Sequence, residues 1–329
     1  IALSYCFSPF SVGYHIDGSL DELGHHVTYV GLPHACRPGY HNDVSVDDLV
    51  RSLPVKSDLF LWVESGGRYF PPGVERLPIP TAAYIIDAHI GEWRTSFGRF
   101  FDAVFVAQRD FVSLFRDALG HQQVFWLPLG CSKEFHQPLG LERIYDVGFI
   151  GNVGLAHRGT PRSRRLGKIE NLFTTNDLYG SYSWEELCRV YNQSRIVFNT
   201  STSLRGDVSM RIFEGTACGA LVMTDSASNG LGDLYSVGEE IVVYNDDEDL
   251  IEKIRYYLSH DGERNEIAGR GQQRALRDHS YEKRVSVIID LVSGPGFKLE
   301  APLRSAGSAV LSREQRIIYT HLHMVDGVL

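Results

Sequence analysis

Arg211 and Glu214 stand three residues apart in the run Ser209-Met210-Arg211-Ile212-Phe213-Glu214-Gly215-Thr216-Ala217-Cys218-Gly219, and an apolar stretch from Ala220 to Met223 follows. Side chains three apart share a helix face. An arginine fork matches phosphate oxygens and a carboxylate accepts from hydroxyls, so the pair suits a ligand that offers both. The plainer readings are an ion pair from Arg211 to Glu214 or Asp207, and for Glu214 a favourable place near a helix N-terminus. Backbone amides from Gly206 to Met210, those of Ser209 and Met210 included, are then placed to line the same ligand. A second group is Gly148-Phe149-Ile150-Gly151-Asn152-Val153-Gly154, where the glycines let a backbone approach a phosphate closely and Gly151 and Asn152 are the candidate contacts. Arg158, Arg162, Arg164 and Arg165 follow it, and Arg158, in the loop, is the first candidate for the phosphate contact; a solvated helix face is the alternative. Asp87 and His89 form a third group at the end of an apolar strand, where either side chain can take a proton from a hydroxyl. Glu64, before Ser65-Gly66-Gly67, is a second candidate base. Gly13, in the loop from Ser8 to His15, is a candidate close-approach point for a phosphate or a second substrate.

The elements that must position these groups alternate between strand and helix. Strands are expected at Ile1–Phe7, His26–Val30, Asp58–Val63, Thr81–Ile86, Ala103–Ala107 and Val124–Leu127, with helices at Tyr14–Leu23, around Val46–Leu53 and at Gln108–Ala118. The stretch from Arg68 to Pro80 holds four prolines and reads as a loop. After the turn at Pro128 the alternation restarts, with strands at Tyr145–Ile150, Asp177–Tyr179, Arg195–Asn199, Leu221–Thr224 and Ile241–Val243. Ser183 and Glu186 have the spacing of a capping box at a helix start. Such alternation implies right-handed βαβ units and parallel sheets. The expected class is α/β, with two Rossmann-like domains facing a cleft. The boundaries are residues 1–140, residues 141–295, and a tail at 296–329 that could end in a helix.

A chain of 329 residues accommodates two such domains. A net charge of −9 gives no reason to expect a nucleic acid partner, whose binding needs a clustered positive field. No apolar run has the roughly 18 to 20 residues of a transmembrane helix, and Ile1–Phe7 is too short for a signal peptide. Five cysteines, none in a C-x-x-C pair, disfavour a disulfide framework. The expected location is the cytoplasm. No Cys or His cluster has zinc spacing, so neither a metal nor a cofactor is expected.

The run Arg211, Phe213, Glu214, Ala217, Cys218, Gly219 and Ala220 resembles the C-terminal half of glycosyltransferases of the GT-B fold. It is most similar to the bacterial spore-maturation (CgeB-like) group, relatives of the retaining family-four enzymes. Gly238-Glu239-Glu240-Ile241-Val242-Val243-Tyr244, Leu250 to Leu258 and His279-Ser280-Tyr281 extend the likeness. It implies that Glu214 accepts from the ribose hydroxyls of a nucleotide-diphosphate sugar, and that Tyr182 lies beside the nucleobase unless it is a packing aromatic. Gly13, Gly151, Asn152, Arg158, Ser209, Met210 and Arg211 are then the other donor contacts, while Asp87, His89 or Glu64 serves an acceptor hydroxyl. In the related enzymes a second glutamate lies eight positions earlier; here Gly206 occupies that place, with Asp207 beside it, so the stereochemical course stays open. A nucleotide-sugar epimerase of the same fold, and a non-catalytic spore- or surface-associated protein, are the alternatives. Neither the acceptor nor the oligomeric state follows from the residues.

Overall fold

The computed structural model describes residues 1–39, 45–64, 69–151, 153, 159–201, 208–225 and 230–324. Two of the expected contacts, Asn152 and Arg158, lie outside them, as do Ser65, Gly66, Gly67, Gly206 and Asp207. The chain divides into two compact units, one of residues 1–128 and 282–329, the other of residues 129–281.

Unit 1 begins with β1 (Ala2–Ser4), α1 (Val12–Glu22), β2 (Thr28–Tyr29), α2 (Val46–Ser52), β3 (Phe60–Val63), β4 (Thr81–Ile85), α3 (Thr95–Gly98), β5 (Ala103–Val106), α4 (Val112–Leu119) and β6 (Val124–Trp126). The strands form one parallel sheet in the order β2-β1-β3-β4-β5-β6. Their continuous apolar stretches, such as the wholly buried Phe60–Val63, fit a sheet covered on both faces. Helix α1 starts two residues earlier than expected because the Ser11 hydroxyl, rather than a later group, accepts from the Tyr14 amide. Packed rings fill the core, with Trp62 stacked on Phe101 and Phe70 on Phe97.

Unit 2 continues with β7 (Tyr145–Gly148), α5 (Pro161–Leu172), α6 (Trp184–Asn192), β8 (Ser194–Phe198), α7 (Met210–Ala217), β9 (Leu221–Asp225), α8 (Leu231–Leu234), β10 (Val242–Tyr244), α9 (Asp247–Ser259) and α10 (Asp261–Asp278). A parallel sheet runs β10-β9-β8-β7. The capping box of Ser183 and Glu186 is present at the start of α6. Helix α7 stops as its residues dictate: Gly219 takes a left-handed φ of 75°, and β9 follows at once. Residues 177–179 turn instead of forming a strand. The Asp177 carboxylate accepts from the Tyr179 amide, and its carbonyl from the Gly180 amide. An aspartate competes for its own backbone in this way and ends extended structure.

The chain then returns to unit 1 as α11 (Tyr281–Val292) and α12 (Ser308–Met324), so the boundary falls at residue 128 rather than 140 and the tail is part of the first unit. Its anchor is the fully buried Asp102. That carboxylate accepts from the Thr81 amide and hydroxyl, from the Ala301 amide and from the Arg304 guanidinium. Glu314 pairs with Arg99 at 2.7 Å, and Leu303 and Ile318 join the aromatic core.

Candidate functional site

The richest arrangement of the expected residues lies within unit 2, beyond the C-terminal ends of β7 and β8. Phe149 follows β7, and the Asn176 side chain pairs with both its amide (3.0 Å) and its carbonyl (2.9 Å). The same amide group donates to the Tyr182 hydroxyl, which in turn donates to the Asp177 carbonyl at 2.7 Å. These bonds hold the turn from Asp177 to Tyr182 beside the glycine turn. Between the two turns is an open cavity of about 490 Å³, lined by Ile150, Gly151, Val153, Tyr179, Gly180, Ser181 and Tyr182. Two of the expected contacts, Gly151 and Tyr182, thus share one cavity, although Tyr182 also has a structural bond network.

Arg211 connects this turn to α7. Its Nε donates to the Ile150 carbonyl (2.8 Å), its Nη1 donates to Asn199 Oδ1 (2.5 Å), and its guanidinium lies 4.4 Å from the centre of the Phe149 ring. A Cβ on Gly151 would crowd Arg211 Nη2 and the Phe149 ring, so the glycine leaves room for the guanidinium where its bonds hold it. Asn199 directly follows β8, a position that no motif marks. Its Oδ1 also accepts from the Ser209 hydroxyl (2.7 Å), so Ser209 precedes α7 without capping it through its side chain. Met210 opens the helix. Glu214, one turn after Arg211, is 3% exposed, and burial pushes its carboxyl up to about 7 against the pull of Arg211. His136 Nε2 faces Glu214 Oε1 at 3.6 Å. Neither Asn199 nor His136 was an expected site residue.

The other three arginines of the cluster are engaged within the unit. Buried Arg162 donates to the Thr200 carbonyl at 2.9 Å. Arg164 and Arg165 both bind Asp247, joined by Lys168. Although burial opposes it, these donors hold the Asp247 carboxyl well below its ordinary range. Arg165 also donates to the Thr200 hydroxyl, whose oxygen donates to Asp225. These contacts fasten α5 to the ends of β8, β9 and β10, while Arg158, the first candidate for the phosphate contact, lies outside the described residues.

In unit 1, Asp87 precedes a short 3-10 turn after β4 and His89 lies within it, both half-buried. Glu64, at the end of β3, accepts from the Ile86 and Asp87 amides at 3.0 Å and from Arg94 Nε at 2.6 Å. Burial raises its carboxyl above the usual range, and Arg94 pulls against that. With three donors on its oxygens, Glu64 holds the Asp87 backbone in place. Gly13 sits in the first turn of α1, where a Cβ would run into the Tyr5 ring; ring packing explains this glycine. Strand order reverses between β1 and β3, the place in such sheets where ligands gather, and the half-buried Phe7, Phe10 and Tyr14 rings lie on and after the loop following β1. Phe10 has a φ of +65°, the one non-glycine residue described with a positive φ. Among the described residues, no group of three His, Cys, Asp or Glu side chains is placed to hold a metal ion. No described helix is long and apolar enough to cross a membrane.

Residues 162–290 match a family model described as glycosyl transferase-like. No curated protein matches the chain. Among solved structures, HepE of Anabaena, in complex with UDP and glucose, superposes with a TM-score of 0.63 at 13% identity, over 89% of this chain and 99% of that one. Sucrose-phosphate synthase from Thermosynechococcus elongatus gives 0.60 at 13% identity, over 89% and 98%. Phage T4 BGT, in complex with its UDP-glucose substrate, gives 0.59 at 10% identity, over 88% and 98%. Two α/β units with parallel sheets, and the likeness to these enzymes over most of the chain, give this protein the GT-B glycosyltransferase fold.

Proposed function

We propose that the protein is a glycosyltransferase that moves a sugar from a nucleoside-diphosphate donor, with UDP as the leading nucleotide, to an acceptor hydroxyl, without a bound metal. The observation that carries this reading is the cavity of unit 2 lined by Gly151 and Tyr182, with Arg211 packed against Gly151 and bonded to Ile150, and with Glu214 one turn further along α7, inside or next to the segment that matches the glycosyl transferase-like model. Similar folds solved with UDP or UDP-glucose support the choice of nucleotide. The run around Arg211 and Glu214 favours the spore-maturation group within that fold.

In this reading the base enters the cavity beside Tyr182, and Glu214 accepts from the ribose hydroxyls. Glycosyl transfer leaves negative charge on the departing diphosphate. Arg211, oriented beforehand by Ile150, Asn199 and Phe149, stabilises that charge without reorganising. The Ser209 and Met210 amides lie toward the same group, with Asn152 and Arg158 as further donor contacts. On the acceptor side, Asp87 takes the hydroxyl proton, His89 stands beside it, and Glu64 with Arg94 fixes its backbone. Gly13 serves this side through the packing of the β1 loop.

Thermal unfolding against UDP, GDP, ADP, CMP and dTDP, with their common sugars, tests the donor site. A hundredfold excess over the dissociation constant adds about 2.7 kcal/mol to the native state. A selective rise that disappears in Glu214→Ala is the expected result, with Asp87→Asn lowering turnover more than donor affinity. Absence of any rise in the unaltered protein would remove the donor assignment.

A further inference from the structure

We propose that His136 is a positioning residue for the donor site, holding one oxygen of Glu214 so that the other meets the hydroxyls of the nucleotide ribose. The proposal rests on the donor reading above. His136 closes a five-residue turn on itself: its amide donates to the Ser132 carbonyl and its Nδ1 accepts from the Ser132 amide, both at 2.9 Å. A neutral imidazole that accepts at Nδ1 carries its proton on Nε2. That proton therefore faces Glu214 Oε1, at the 3.6 Å separation of an electrostatic contact.

The ring has no room to turn away. It is fully buried, and the Trp184 indole meets it edge-on at 4.4 Å. The surrounding segment is sewn to α6. Cys188 Sγ donates to the Phe135 carbonyl (3.2 Å), while the Asn192 side chain donates to the Gln137 carbonyl (3.0 Å) and accepts from the Leu139 amide (2.7 Å). Around Glu214 stand Arg211 from its own helix, Tyr191 from α6, and the Cys218 thiol one turn on. His136 approaches from outside α6 and α7, with a fixed N–H. Packing alone would be served as well by an apolar side chain of similar volume. A vicinal diol needs a carboxylate in one orientation, which a fixed N–H supplies.

The experiment measures dissociation constants of the full chain for UDP, GDP and ADP, each beside its 2′-deoxy analogue. The ratio of deoxy to ribo constants isolates the hydroxyl contact from base and phosphate binding. Unaltered protein is expected to favour its ribonucleotide roughly tenfold, the scale of one hydrogen bond to a charged group. His136→Leu should bring the ratio close to one while the unliganded protein melts no earlier. His136→Gln, whose amide reaches toward the Nε2 position, should recover discrimination; His136→Asn, which mimics Nδ1, should not. If the leucine variant does not fold, the Gln and Asn pair decides. Unchanged discrimination in His136→Leu or His136→Asn overturns the positioning role and leaves the donor site standing. Unaltered protein that binds none of the nucleotides overturns the donor reading, and this proposal with it.

Discussion

Gly151 and Arg211 explain one another: the missing side chain of the first is the space that the second occupies. Either residue read alone has a plain explanation, a flexible turn or a helix-surface cation; the contact gives each a reason. Glu214 leads to a prediction at the same scale. Its carboxyl stays protonated in the folded protein to a pH of about 7, whereas the unfolded chain releases the proton near 4.5. Between those values the native state binds more protons, so stability falls as pH rises through this window. The loss is on the order of 3 kcal/mol once the group ionises in the fold. Glu214→Gln keeps the shape without the charge. Its unliganded form should melt above the unaltered protein at pH 8 and level with it at pH 4, while its nucleotide affinity drops. Equal pH profiles for the two proteins, measured by calorimetry, would show an ordinary carboxylate. Arg211 and Glu214 were legible from their spacing. Asn199 and His136 were not, since each gains its meaning from a partner distant in sequence and neither stands in a periodic pattern.

Among the elements, α7 and its exit into β9 follow from a run of small residues, a glycine and an apolar stretch, all inside one short window. Helix α6 is equally local, because Ser183 and Glu186 cap it together. The arginine-rich start of α5 is different. Its charges suggested one phosphate contact, Arg158 first, or a solvated face; the fold buries Arg162 against Thr200 and pairs Arg165 and the exposed Arg164 with Asp247. The tail shows the same limit, since nothing between residues 296 and 307 announces that its destination is Asp102. That anchor can be tested. Arg304→Ala strips a donor from a fully buried carboxylate, a change that typically costs 3–5 kcal/mol. A marked fall in melting temperature is expected, with nucleotide affinity unchanged, because Arg304 and the cavity belong to different units. Weakened nucleotide binding would show that the tail also acts on the donor site.

The whole molecule consists of two units, each with its own sheet and core, and the chain passes from the first to the second and back. Multidomain chains commonly unfold in more than one step. Scanning calorimetry should accordingly show saturating nucleotide raising the transition that carries residues 129–281, and Arg304→Ala lowering the one that carries the remainder. A single transition moved equally by both would show the two units melting as one. From the amino acids alone came the α/β class, the two parallel sheets, most strand positions, and the Arg211–Glu214 pair, because apolar periodicity, capping and turn chemistry act over a few neighbouring residues. The course of the tail, the partners of the α5 arginines, the packing reason for Gly13 and the approach of His136 to Glu214 were decided only by the tertiary structure. Each depends on which distant groups burial brings together, where an uncompensated charge or a single extra Cβ is costly.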